Sequence, residues 1–214
     1  MTVRKETGYD AKSKKLLFKQ NITFSLGVTR IEDLPKETSA EVAFFGRSNV
    51  GKSSLLNSIT DKNKMAYTSK NPGRTRELNF FSLSKNSKTL INIVDMPGYG
   101  FAKASKDQIK KWTKLSDSYL KTRKNLRRVF LLIDSRRNIM SIDNEIMDIM
   151  DDYAVSYQIV LTKADKILKV ENLAELVLKE VEKRKAIFPK ILITSSKSKF
   201  GIDDIREEIA SLIN

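Results

Sequence analysis

An α/β domain is the fold this sequence predicts: a mostly parallel sheet of six or seven strands, one of them antiparallel, with helices on both faces. Three observations carry it. From Glu41 onward, short apolar runs alternate with amphipathic stretches, the order that builds parallel strands joined by crossover helices. Leu78 to Leu83 and Thr89 to Val94 are joined only by the turn-like stretch Ser84 to Lys88, short enough for an antiparallel pair and too short for a crossover. Gly46 to Ser53 is a glycine-bounded segment between an apolar run and a helical stretch.

In chain order, residues 1–15 are polar and basic and read as a flexible tail, leaving 16–214 as a single domain. Leu16 to Pro35 is mixed, a leading strand or turn. EVAFF, from Glu41, is a bounded apolar run of the kind that forms a buried strand, and Ser54 to Ile59 continues as helix. Thr60 to Arg76 is polar, carries Asn71-Pro72-Gly73 and reads as a loop. After the antiparallel pair, Ser105 to Lys121 is helical, with Ile109, Trp112, Leu115 and Tyr119 as its apolar stripe. Then come a strand at Val129 to Ile133, a helix at Asp143 to Tyr153, a strand at Tyr157 to Leu161 and a long helix at Val170 to Lys185. A strand at Ile191 to Thr194 and a helix at Ile202 to Ile213 close the chain.

Composition narrows the chemistry. The 214 residues suffice for one domain with a substantial core. With no cysteine and no histidine, disulfides, zinc-type sites and imidazole catalysis are excluded, and a reducing cytoplasm is the expected location. No apolar run approaches the roughly 18 residues of a membrane span; the longest is Val129 to Ile133. The basic start MTVRKETGYDAKSKK lacks the apolar stretch of a secretory signal. A formal charge of +14 favours an anionic partner: RNA, DNA or an anionic lipid surface.

Four short motifs, each following a predicted strand, carry the chemistry. Gly46-Arg47-Ser48-Asn49-Val50-Gly51-Lys52-Ser53 matches G-x-x-x-x-G-K-[ST] in its required strand-to-helix context. Its glycines let backbone N–H groups converge on phosphate oxygens, and the helix N-terminus favours the same anion. Lys52 is placed to bridge the β- and γ-phosphates, and the Ser53 hydroxyl to ligate magnesium, a hard cation that takes oxygen ligands. Asp95-Met96-Pro97-Gly98 follows INIV; Asp95 can hold magnesium through a water, and the Gly98 N–H can reach the γ-phosphate and release it on hydrolysis. Thr162-Lys163-Ala164-Asp165 follows YQIVL. The Asp165 carboxylate can accept from guanine N1–H and its exocyclic amine, a donor pair adenine lacks, while the Lys163 stem lies over the base. Thr194-Ser195-Ser196 follows KILI and can line the guanine carbonyl side with backbone N–H groups; taken alone it reads equally as a helix cap. The expected ligands are therefore GTP or GDP with Mg2+.

Taken together, GRSNVGKSS, NPGRTRELNFF, VDMPGYGFA, TKAD and TSS resemble the EngB family (also called YsxC or YihA) within the Ras-like P-loop GTPase superfamily. The resemblance runs from about Glu41 to the C-terminus and is most specific at Pro72 to Thr75 and Asp95 to Gly100. It implies a GTPase of the bacterial cytoplasm tied to assembly of the large (50S) ribosomal subunit, with family members also described under cell division and septation. It further implies that Thr75 is the switch threonine meeting magnesium in the GTP state, within a nucleotide-contacting segment Gly73, Arg74, Thr75, Arg76 and Glu77. A GTP-dependent scaffold in division or membrane work, and an ATP-using P-loop enzyme, are the competing readings; Asp165 speaks against the second.

Two features stand apart from those motifs. Tyr99 occupies the position where Ras-type proteins place a water-orienting glutamine, and a phenol with an ordinary pKa near 10 is a poor base at neutral pH. Either intrinsic hydrolysis is slow or another group positions the water. Asn49 resembles the potassium-binding asparagine of cation-activated relatives in the TrmE and Era branch, where K+ offsets charge on the bridging oxygen; its other reading is a hydrogen bond within its own loop. Lys52, Thr75 and Asn49 are thus the candidate catalytic residues. Residues 103–128 hold ten Lys or Arg against Asp107 and Asp117, a net of +8 within the chain's +14. Lys110, Lys114 and Lys121 share a helical face there, readable as a solvated surface or as an rRNA contact for the large subunit or its precursor. A monomer is the expected state.

Ser53→Ala should impair magnesium-dependent binding of both GTP and GDP. Thr75→Ala should weaken only the GTP state, because the switch needs the γ-phosphate to order. Equal losses for the two nucleotides in Thr75→Ala, measured by titration with magnesium present, would remove Thr75 from the switch.

Overall fold

The computed structural model describes residues 18, 21–62, 77–100, 106–168 and 170–213, with side chains in the helix at 106–122 described from Lys114 onward. The elements are β1 (Ile22–Val28), β2 (Ala40–Gly46), α1 (Lys52–Thr60), β3 (Leu78–Lys85), β4 (Lys88–Asp95), α2 (Lys106–Thr122) and β5 (Leu126–Asp134), followed by α3 (Ser141–Asp152), β6 (Tyr157–Thr162), α4 (Leu173–Val181), β7 (Leu192–Ile193) and α5 (Ile202–Ala210). All seven strands form one sheet in the order β1-β3-β4-β2-β5-β6-β7. β3 runs against both its neighbours, β1 and β4, and every other pairing is parallel.

Strand β2 sits centrally, between β4 and β5, and all seven of its residues are buried. Alternate side chains point to opposite faces of a strand, so its AEVAFFG run supplies both layers. Val42 and Phe44 pack with Leu55, Leu56 and Ile59 of α1 and with Ile202, Ile205 and Ile209 of α5. Ala43 and Phe45 pack on the other side with Leu115, Tyr119 and Leu120 of α2 and Met147 and Met150 of α3. Parallel strands covered on both faces put the C-terminal ends of β2, β4, β5 and β6 together at one rim, the place where such sheets bind ligands. Among the described residues no helix is long and apolar enough to cross a membrane.

Several boundaries differ from the sequence reading, for local reasons. The mixed stretch 16–35 contributes a full strand, β1, paired to β3 from Ile22↔Leu83 to Val28↔Leu78. The helix expected over 170–185 is confined to 173–181. Asn172 enters it from a left-handed conformation (φ 64°), and beyond it β6 captures the backbone: Tyr157 N–H donates to Ala186 and Phe188 N–H to Tyr157. Helix α3 starts two residues early because the Asp143 carboxylate accepts from the Met140 N–H at 3.0 Å, closing its first turn. The tail at 1–15, most of the loop expected over 60–76, and the side chains of Ile109, Lys110 and Trp112 lie outside the described residues.

The basic stretch 103–128 is not uniformly a surface. Arg123 is buried and donates to Glu41 through Nε (2.9 Å) and a terminal nitrogen (2.6 Å), and the Tyr119 hydroxyl donates to the same fully buried carboxylate at 2.9 Å. Arg128 is buried against Gln158 and Glu208 and lies 3.6 Å from the Phe188 ring centre. Two of the ten cations are thus spent inside the fold. Removing one member of a buried pair leaves an uncompensated charge. Glu41→Ala should therefore destabilise the domain by about 3–5 kcal/mol, read as a lowered urea midpoint; a midpoint within experimental error of the parent would show that Glu41 does not anchor α2 to β2.

Candidate functional site

The site lies where β2, β4, β5 and β6 end. The loop after β2 is shaped by two left-handed positions, Asn49 (φ 65°) and Gly51 (φ 106°). Glycine adopts such a φ without penalty, and Gly51 there delivers the chain into α1, closed by Leu55 N–H to the Gly51 carbonyl at 2.9 Å. Neighbouring loops brace this turn. Tyr99 N–H donates to Gly46 O (3.2 Å) and Ser48 N–H to Tyr99 O (3.0 Å), tying it to the segment after β4. The Thr162 hydroxyl donates to Val50 O at 2.7 Å, and Lys163 Nζ to Asn49 O at 2.7 Å, tying it to the end of β6. A Cβ at Gly98 would come within 3.2 Å of Gly46 O and 3.4 Å of Ser48 N, so any larger residue would push the two backbones apart by a few tenths of an ångström.

Charge is concentrated at its mouth. Lys52 Nζ is paired with the buried Asp95 carboxylate. Ser53 stands half-buried in the first turn of α1, beside Lys52. A hydroxyl and a carboxylate here are hard oxygen donors suited to Mg2+, so these residues fit the ion. A phosphate and a magnesium ion could replace the Lys52–Asp95 pair with two new pairs, leaving neither buried charge alone.

The residues expected from the sequence to read the base converge from two further loops. Asp165, in the turn Ala164–Lys166, accepts a hydrogen bond from the Ser195 hydroxyl at 2.7 Å, which holds its carboxyl below the usual carboxylate range and therefore ionised. Ala164 N–H donates to Thr194 O at 3.0 Å, locking the two loops together. Thr162 and Thr194 are buried, and the Thr194 hydroxyl donates to Leu161 O at 3.1 Å; both threonines act as scaffold for their neighbours. Gly51, Lys163, Asp165 and Ser196 line one cavity of about 490 Å3 that continues along α1 to Asp61 and Lys62. Among the segments singled out in sequence, the structure thus brings together Gly46–Ser53, Asp95–Gly98, Thr162–Asp165 and Thr194–Ser196. Gly73 to Arg76, including Thr75, lie outside the described residues, and Glu77 is exposed just before β3.

Three site residues escape the sequence reading. Asp134, at the end of β5, accepts from Lys163 Nζ at 2.8 Å and from Arg136 through Nε (2.9 Å) and a terminal nitrogen (2.6 Å). The Arg136 guanidinium, seconded by Lys163, pulls its carboxyl well below the ordinary range. This arrangement fixes the Lys163 stem along the phosphate-loop side of the cavity. Its signal was available: Asp134 ends an apolar strand as Asp95 does. Asp143 is the third, at 1% exposure; it accepts from the Tyr99 hydroxyl at 2.7 Å. Burial, with the Asp143 charge second, raises the Tyr99 phenol far above its ordinary value, and the Tyr99 ring packs edge-on to Phe45 at 5.0 Å. Tyr99 is a packed, neutral hydrogen-bond donor turned onto α3, and no base. Asn49 is exposed, and among the described residues its side chain makes no hydrogen bond to its own loop.

Comparison with known proteins agrees with this geometry. Residues 41–163 match the family model described as 50S ribosome-binding GTPase. A probable GTP-binding protein EngB of Hyphomonas neptunium is 49% identical over 201 residues, covering 92% of this chain and 90% of the relative. One from Brucella melitensis is 47% identical over 218 residues, covering 99% and 90%. Among solved structures, a probable GTP-binding protein EngB superposes with a TM-score of 0.63 at 24% identity, over 81% of this chain and 98% of that one. Era in complex with MgGDPNP and a 16S ribosomal RNA segment superposes with a TM-score of 0.68 at 22% identity, over 82% and 57%. These last two are likenesses of fold.

Proposed function

The chain belongs to the EngB family of GTP-binding P-loop proteins, and from that premise we propose that it is a magnesium-dependent GTPase that acts as a switch in assembly of the large ribosomal subunit. One observation carries the nucleotide reading: Gly51 of the phosphate loop and Asp165 line the same cavity, so one ligand can offer phosphates to one end and a base to the other.

The geometry supports a role for each residue. The N–H groups of Gly46–Ser53 and the Lys52 ammonium hold the phosphates, and Asp165, kept ionised by Ser195, accepts from guanine. Asp134 holds Lys163 so that its stem presents a fixed surface to the base. Ser53, Asp95 and, in the GTP state, Thr75 are the residues that would hold magnesium, which neutralises phosphate charge when bound. Tyr99 is engaged by Asp143, so water positioning falls to another group: potassium at Asn49, or the ribosomal partner. Slow intrinsic turnover is the expected consequence. The ribosomal role is supported by the matched family description and by the +14 charge; it includes a cytoplasmic place of action, a monomeric state and a part in cell division and septation.

Asp165→Asn should lower GTP and GDP affinity by roughly 100-fold while gaining xanthine nucleotides, whose carbonyl can accept from the new amide; unchanged GTP affinity would remove the guanine assignment. Cosedimentation with large subunits under GTP, GDP and no nucleotide should show the most association with GTP, and association independent of nucleotide would remove the switch.

A further inference from the structure

The sheet places two functional ends on one molecule. The parallel strands end at Gly46, Asp95, Asp134 and Thr162 on the nucleotide side and begin at Ala40, Lys88, Leu126 and Tyr157 on the other. Three segments meet at that opposite end. The Ser39 hydroxyl donates to Thr89 O at 3.3 Å, Asn125 Nδ2 donates to Ser39 O at 2.6 Å, and Glu41 N–H donates to Asn125 O at 2.9 Å. These bonds fix residues 36–40, the β3–β4 hairpin and residues 121–127 relative to each other.

Together they present Lys36, Lys88, Lys121, Lys124 and Arg127, all exposed. Glu37 is the only acid in residues 36–40, the hairpin tip 84–89 and residues 121–127, and it faces Arg123 at 3.8 Å, which Glu41 already binds. Lys121 lies over the Tyr153 ring at 5.7 Å. Among the described residues, Lys88, Lys124 and Arg127 have no ion-pair partner. The basic stretch 103–128 therefore runs away from the nucleotide site: its described, outward-facing cations from Lys121 onward gather at the far end of the sheet, joined there by Lys36 and Lys88 from elsewhere in the chain.

We propose that this end is an RNA-docking face, contacting the phosphate backbone independently of the nucleotide; it deepens the ribosomal reading above and rests on it. The chemistry favours RNA over an anionic bilayer. None of the exposed large apolar side chains among the described residues (Phe24, Met140, Leu168, Leu176, Phe200) belongs to these segments, so nothing there would enter a membrane interface. At the hairpin tip Lys88 is preceded by the exposed Asn86 and Ser87, side-chain types that hydrogen-bond phosphate and sugar oxygens. The hairpin tip is held out by left-handed Asn86 and Ser87 (φ 50° and 60°). The nine-residue strand β5 separates the two ends by about 25–30 Å at roughly 3.3 Å per residue, well beyond a Debye length of about 8–10 Å. Charge on this face is therefore largely screened from the nucleotide, and binding energy gained there is available in every nucleotide state.

The test uses the full-length protein, a fluorescein-labelled RNA hairpin and purified large subunits, with the triple variant Lys88→Glu, Lys124→Glu, Arg127→Glu. At about 0.1 M salt the variant should bind the hairpin at least about tenfold more weakly, with a log–log salt slope shallower by about 2–3, while GDP affinity and the unfolding midpoint stay at parent values. The neutral variant Lys88→Gln, Lys124→Gln, Arg127→Gln should show a smaller loss in the same direction, which keeps the test decisive if charge reversal impairs folding. Parent affinity and slope in both variants would sink the face while leaving the ribosomal reading intact. A parent protein that binds neither hairpin nor subunits would sink both. Binding of the parent to phosphatidylcholine–phosphatidylserine vesicles, lost in the variants while hairpin binding persists, would overturn RNA in favour of a lipid surface.

Discussion

The conformation of one eight-residue turn, Gly46 to Ser53, is the constraint on which the rest of the site depends. Its backbone visits left-handed space at Asn49 and Gly51, which a free chain would not hold. It is held because carbonyls of Gly46, Asn49 and Val50 accept hydrogen bonds from Tyr99 in the loop after β4, Lys163 just after β6 and Thr162 at the end of β6. Those loops are themselves the segments proposed to hold magnesium and the base. The residues proposed to read the nucleotide are thus the residues that shape the turn, and displacing one segment disturbs the others.

Most buried charges among the described residues are paired with an opposite charge, Asp143 being held instead by hydrogen bonds from Tyr99 and the Met140 N–H. Lys52 with Asp95, Lys163 and Arg136 with Asp134, Arg123 with Glu41 and Arg128 with Glu208 each satisfy a group that would be costly alone. The pairs differ in use. Glu41 and Glu208 are locked by arginines far from the cavity and fasten helices α2 and α5 to the sheet. Lys52 and Asp95 face the nucleotide site, where a phosphate and a cation offer each of them a new partner.

The parallel sheet gives these two classes of charge their separation. Ligand-facing carboxylates sit at strand C-termini, and the unneutralised cations at strand N-termini gather on the opposite rim. The proposed nucleotide switch at one end and the proposed RNA face at the other would share one sheet and act through different physics: hydrogen bonds and metal coordination on one side, screened long-range attraction on the other.

Much of this was legible in the sequence because its signals are local. The period of apolar runs sets the α/β order, and each binding motif falls directly after a strand, so Gly46 to Ser53, Asp95 to Gly98, Thr162 to Asp165 and Thr194 to Ser196 could be placed without coordinates. Asp134 was legible in principle, as a second aspartate ending an apolar strand. Other features depend on contacts between residues distant in the chain. That Tyr99 is turned onto Asp143, that Arg123 and Arg128 point inward while Lys124 and Arg127 point outward, and that Lys88 joins them on one rim follow from strand order and register. A run of cations reads the same in sequence whichever way each side chain faces; only packing against Glu41 and Glu208 separates the structural arginines from the exposed ones.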